Sequence, residues 1–201
     1  MPGGAAVIDV AASVAACHRQ NHLCMTKTAE DVDRYEPIIT EYRPEVIVEC
    51  GTYEGWSALW FSQWSEVVTV DLCPRPSADG VLAMAVSVGR VTRLSGRSSV
   101  DPAVVAEVRD LVAGRRVLVS LDSDHSPGHV LAEMDAYSQL VHPGGWMVVE
   151  DGIVRHWLRC PGPLDAIEPW LAAHPQWVAD VEVEDMHPVT LFPSGWLWRI
   201  E

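Results

Sequence analysis

Four short runs rich in β-branched residues, each ending at an acidic or polar position, leave this chain few ways to fold. Residues 46–48 run into Glu49-Cys50-Gly51, 67–70 end at Asp71, 90–94 end at Ser95-Gly96, and 117–121 end at Asp122. A fifth run, Trp146-Met147-Val148-Val149, follows a Pro143-Gly144-Gly145 turn and meets Glu150-Asp151. Helical patterns separate them: 28–42 with Thr28 as N-cap and Pro37 as a kink site, then 56–64, 81–88, 102–112 and 128–140. Strands alternating with helices imply right-handed crossovers and a parallel sheet covered on both faces. The expectation is an α/β domain with a doubly wound, mostly parallel sheet and helices on both faces. Residues 177–183 and 190–199, with a Pro193-Ser194-Gly195 turn, read as a strand and hairpin completing one edge.

At 201 residues the chain has room for one sizeable core, so we expect a single domain over 25–201. An N-terminal helical segment over 1–24, centred on 5–17, is expected to pack on the domain or on another subunit. The formal charge of −14 repels a phosphate backbone, which argues against nucleic acid as a partner. No stretch reaches the ~20 apolar residues of a membrane helix, and the Met1-Pro2-Gly3-Gly4 start lacks a basic signal region. The five cysteines include no Cys-x-x-Cys pair, which suits a reducing compartment without a zinc cage. A cytoplasmic location with no membrane partner is the expectation. Nine tryptophans against two phenylalanines point to aromatic walls at a pocket or subunit interface, and we expect a homo-oligomer.

In such sheets ligands lie beyond the carboxyl ends of the strands, where the strand order reverses. The polar strand ends should therefore converge on one site. The segment Glu49-Cys50-Gly51-Thr52-Tyr53-Glu54-Gly55-Trp56-Ser57 sets an acid at a strand end, then two glycines around a tight turn into a helix. Glycine there lets a ligand approach the backbone. A dinucleotide fingerprint needs a third glycine and no acid, so a methyl donor fits better, with Glu49 meeting a cationic amino group and Asp71 accepting from ribose hydroxyls. Gly51, Tyr53, Gly55 and Ser57 belong to the same turn. The loop Ser95-Gly96-Arg97-Ser98 falls where an adenine contact belongs in this topology, with Ser98 the candidate. The plain alternatives are a structural strand-to-helix turn for the glycines and a helix cap for Asp71.

The ends of the fourth and fifth strands bring Asp122, Glu150 and Asp151 together. Three carboxylates share a site only with raised proton affinity or a cation, and hard oxygen ligands suit Mg2+ or another divalent ion. Such an ion would hold and acidify a substrate hydroxyl. His125, three residues after Asp122, is the candidate general base. Asp124 competes with Asp122 as the first metal ligand. Solvated loop acids and a structural histidine are the alternatives, as is a carboxylate-metal hydrolase, which leaves the Glu49 to Gly55 turn unused.

These motifs resemble the cephalosporin hydroxylase-like family, which also includes rhamnosyl and macrolide-sugar O-methyltransferases. The resemblance runs from about Met25 to Arg199 and rests on the segments 43–60, 121–126 and 144–151. It implies a class I methyltransferase fold, S-adenosylmethionine at Glu49, Gly51 and Asp71, Mg2+ at Asp122, Glu150 and Asp151, and a base at His125. The implied acceptor is a small molecule, a sugar or glycosylated metabolite of antibiotic biosynthesis, with substrate walls built from residues 153–163 including His156 and Trp157. The other reading this family allows is an S-adenosylmethionine-binding partner in a two-component oxygenase or methyltransferase system.

Overall fold

A computed structural model of the chain describes residues 27–201; the helix expected over 5–17 lies outside them. The first described helix, α1 (Ala29–Tyr42), starts where Thr28 accepts a hydrogen bond from the Asp31 amide, and it runs continuously through Pro37. It stops at Arg43, whose left-handed backbone at φ 53° precedes Pro44.

From there the chain alternates: β1 (Val46–Cys50), α2 (Trp56–Phe61), β2 (Glu66–Asp71), α3 (Ser77–Ser87), β3 (Val91–Ser95), α4 (Pro102–Val112), β4 (Val117–Leu121), α5 (Pro127–Tyr137) and β5 (Trp146–Val149). A 3-10 turn, Ser138–Leu140, extends α5. Two short helices follow the last parallel strand, α6 (Val154–Trp157) and α7 (Leu164–Ala173). The chain closes with β6 (Trp177–Ala179), α8 (Val181–Glu184) and β7 (Trp196–Arg199).

The seven strands order as β3-β2-β1-β4-β5-β7-β6. The first five are parallel, and β7 slots antiparallel between β5 and β6. The order in which strands are added reverses between β1 and β4, which places the switch point beside Gly51 and Asp122. The expected doubly wound sheet is what forms.

Alternation along each strand divides the core. Ile47, Val67, Val91, Leu118 and Val148 face α1, α2 and α3, whereas Val46, Val48, Cys50, Val68 and Val119 face α4, α5 and α7. Every residue of β1 and β4 is buried, because both faces are roofed by helices. Each fully buried aliphatic side chain here contributes roughly 1.5–3 kcal/mol relative to exposure. Trp60, Trp170, Trp177 and Trp196 belong to this core, and the indole N–H of Trp170 reaches Asp135 at 2.7 Å.

The C-terminal edge differs from the expected strand and hairpin. Only Trp177–Ala179 pairs, since Asp180 turns the chain and caps α8 by accepting from the Val183 amide. Residues 190–195 form no strand opposite β7: the Phe192 amide bonds the Thr190 hydroxyl, and the Gly195 amide returns to the Phe192 carbonyl. The helix expected over 56–64 ends at Phe61, after which the Ser62 amide closes on Ala58 and the Trp64 amide on Phe61. Among the described helices none is long and apolar enough to cross a membrane.

Candidate active site

Backbone hydrogen bonds lace the strand ends together before any side chain is involved. The Gly51 amide donates to Val70, the Asp122 amide to Cys50 and the Glu150 amide to Leu121, at 2.8, 2.8 and 2.9 Å. The turn after β1 is tight: Gly51, Tyr53 and Gly55 all have positive φ, at 103°, 45° and 84°. At Gly51 a Cβ would fall 1.9 Å from the Asp122 carbonyl oxygen, so glycine is required where the β1 and β4 loops pass each other.

Asp71 ties this turn to the next loop, accepting from the Tyr53 amide at 2.8 Å and the Cys73 amide at 2.7 Å. Its carboxylate thus sits at the rim of the turn and holds it. Tyr53 is half-exposed, with the Arg75 guanidinium 5.3 Å from its ring centre. Glu49 lies deeper. It is buried, bonded by the Thr69 hydroxyl at 2.6 Å and by Ser57, and burial pushes its carboxyl up to about 7. Ser98 stands apart on the β3 to α4 loop, half-buried, its carbonyl accepting from Asp101.

Across the switch point, Asp122, His125 and Asp151 each present one ligand atom within 4.8 Å of the others, a grouping able to hold a metal ion. His125 Nε2 is 3.4 Å from Asp122 Oδ1 and 3.6 Å from Asp151 Oδ2. Its hydrogen bond with Asp122 raises its proton affinity above the ordinary histidine value, burial notwithstanding. Asp151 is raised too, by burial and by the nearby charge of Asp122. It adopts a left-handed backbone at φ 56°. Asp124, the competing first ligand, is exposed and accepts from the Ser126 amide at 2.8 Å.

Glu150 joins the cluster differently. It is buried, and its Oε1 accepts from Tyr35 and Ser120, both at 2.7 Å, while its Oε2 accepts from Lys27 at 2.5 Å. Lys27 also reaches Asp122 Oδ2 at 2.8 Å. Burial opposes charge on Lys27, but Asp122 and Glu150 outweigh it and hold the ammonium above the ordinary lysine range. Neither Lys27 nor Tyr35 is among the site residues expected from the sequence. Tyr35 looks like one more apolar position on α1; Lys27 carries a signal, for it is the only lysine among the 14 lysines and arginines.

The rhamnosyl O-methyltransferase/CmcI family profile matches residues 19–200. The chain belongs to that family. The rhamnosyl O-methyltransferase of Mycobacterium tuberculosis H37Rv is 32% identical over 192 residues, covering 86% of this chain and 74% of its own. CmcI, solved with Mg and SAM, shares the fold at TM-score 0.61 and 20% identity, over 87% of this chain and 73% of that one. MycE of the mycinamycin biosynthetic pathway, solved with Mg, SAH and mycinamycin VI, superposes at TM-score 0.54 and 18% identity. That match covers 70% of this chain, which spans only 40% of the MycE structure's length. Membership places the chain among S-adenosylmethionine-dependent O-methyltransferases, with a Rossmann-like class I fold.

Proposed function

We propose that this protein transfers a methyl group from S-adenosylmethionine to a hydroxyl of a sugar, free or attached to a larger metabolite, with the help of a divalent cation. The observation that carries the reading is the grouping of Asp122, His125 and Asp151 directly across from the Gly51 turn. Rhamnosyl O-methyltransferase relatives and the Mg-containing complexes of CmcI and MycE support it.

The residues suit both groups. Two carboxylates beside an imidazole match Mg2+ or Mn2+, and a cation there would offset the burial and the Asp122 charge that raise Asp151. On the other side of the switch point, Gly51 and Gly55 remove side chains from the turn, Glu49 braces it from below through Ser57 and Thr69, and Asp71 offers acceptor oxygens at its rim. When bound, S-adenosylmethionine supplies an electrophilic methyl and the divalent cation lowers the pKa of a hydroxyl it touches.

The chain's own residues then have separable tasks. Asp122 and Asp151 would hold the cation, His125 would receive the hydroxyl proton at Nε2, and the loop approach at Gly51 keeps the two halves in register. The loop after Asp151 would wall the acceptor: α6 carries His156 and Trp157, and Trp157 is 68% exposed, with a flat apolar indole to offer a sugar ring.

Incubating the protein with labelled S-adenosylmethionine, Mg2+ and a panel of deoxysugar and glycosylated acceptors tests the reading. Label on a sugar oxygen is the expected result. Binding of the donor without transfer to any acceptor would instead favour the partner-component reading.

A further inference from the structure

A second polar cluster lies behind the donor side of the site, and the proposed chemistry leaves it unused. His129, Glu133 and Tyr137 recur at every fourth position of α5, so all three project from one face of that helix. Glu133 is buried, and among the described residues its ion-pair partner is His129, with Nε2 3.3 Å from Oε1. A buried carboxylate paired with neither lysine nor arginine depends on hydrogen bonds to offset its desolvation.

Those bonds reach two loops. Glu133 Oε1 accepts from the Ser99 hydroxyl, on the loop after β3, and from the Ser123 hydroxyl at 2.6 Å, on the loop after β4. Ser99 is also held by His129, with Oγ 3.1 Å from Nε2, and by Tyr137, whose hydroxyl donates to the Ser99 carbonyl at 2.8 Å. The other end of the β3 loop is fastened to β2, where the Gly96 amide donates to the Asp71 carbonyl at 2.9 Å. Ser98, the expected adenine contact, sits between these two anchors, and Ser123 adjoins Asp122 of the cation group.

We propose that Glu133 is a positioning residue for the methyl donor: from α5 it grips Ser99 and Ser123 together and so sets the wall that meets the adenine relative to the loop that carries Asp122. One carboxylate oxygen spans two loops whose strands, β3 and β4, are separated in the sheet by β2 and β1. Each loop supplies a single hydroxyl as the matching donor, and Glu133 acts on donor affinity through those two hydroxyls. The proposal rests on the methyl-donor reading above.

The test uses the full chain and S-adenosylhomocysteine as the probe, with affinity read by calorimetry and folding by circular dichroism. Ser99→Ala should weaken probe binding about five-fold and Glu133→Leu about ten-fold or more, the size of one and of several lost hydrogen bonds. Glu133→Gln keeps an acceptor oxygen of the same reach, so it should bind within about three-fold of the wild type and recover what Glu133→Leu loses. Wild-type affinity in both Ser99→Ala and Glu133→Leu, or Glu133→Gln binding as weakly as Glu133→Leu, would overturn the proposal while leaving the methyl-donor reading intact. A wild type that does not bind S-adenosylhomocysteine would overturn both. Should Glu133→Leu fail to fold, Ser99→Ala decides alone, since it deletes a single hydroxyl.

Discussion

Gly51 and Asp122 meet back to back: the Cα of one faces the main-chain carbonyl of the other with no room for a methyl between them. This contact joins the turn proposed for the methyl donor to the loop proposed for the cation.

Gly51→Ala should therefore damage both at once. The obstacle is backbone, which cannot swing aside, and φ of 103° is costly for any residue with a Cβ. A loss of roughly 3 kcal/mol or more is expected from thermal or urea melts, together with loss of donor binding. A variant that melts like the wild type and binds the donor normally would mean the two loops are not coupled here.

His125→Ala should leave the fold intact, since the side chain is one-third exposed, and should lower the methyl-transfer rate about 10²- to 10⁴-fold as expected of a general base. Circular dichroism and single-turnover rates check this. A variant within two-fold of the wild-type rate would remove His125 from the chemistry.

Glu49 gives a pH prediction for the protein without cofactor. Burial raises its carboxyl from the ordinary 4.5 to about 7, so the folded state holds the proton more tightly than the unfolded chain does. The resulting stability is fully present below pH 4.5 and is lost as pH rises through 7, a difference of at most ~3 kcal/mol. Glu49→Gln should lack that decline. Melting temperatures of the two proteins across pH 5 to 8 measure it, and parallel curves would show that Glu49 is ionised throughout.

Much of the fold was legible because its determinants are local. Runs such as 117–121, the helix start at Thr28, and the Gly144-Gly145 turn declare themselves in short windows. The acids at strand ends followed from the same logic, since a parallel sheet delivers every carboxyl end to one side. What escaped depends on distant partners. The placement of β7 between β5 and β6 is settled by packing of Trp196 and Leu197, not by any pattern within 190–199. Lys27 meets carboxylates 95 and 123 residues away, and a lone lysine before a helix ordinarily reads as solvated. Asp31 and Arg34 are charged residues whose partners lie far along the chain, and both are fully buried.

That pair carries its own prediction. Arg34 donates to the carbonyls of Val183, Glu184, His187 and Val189, and Asp31 accepts from Thr190 and the Leu191 amide, so the two fasten the C-terminal segment over α1. Arg34→Met leaves Asp31 charged without its partner and four carbonyls short of a donor. Destabilisation of about 3–5 kcal/mol is expected in urea titration. A shift below ~1 kcal/mol would show that water replaces the guanidinium at little cost.

The central claim is that Asp122 and Asp151 hold a divalent cation that the methyl transfer needs. Its most direct test is the rate of label transfer from S-adenosylmethionine to a sugar acceptor before EDTA, after EDTA, and after Mg2+ is restored in excess. The rate should collapse with chelation and return with Mg2+, and Asp151→Asn should not recover. Transfer that continues undiminished in EDTA would contradict the account.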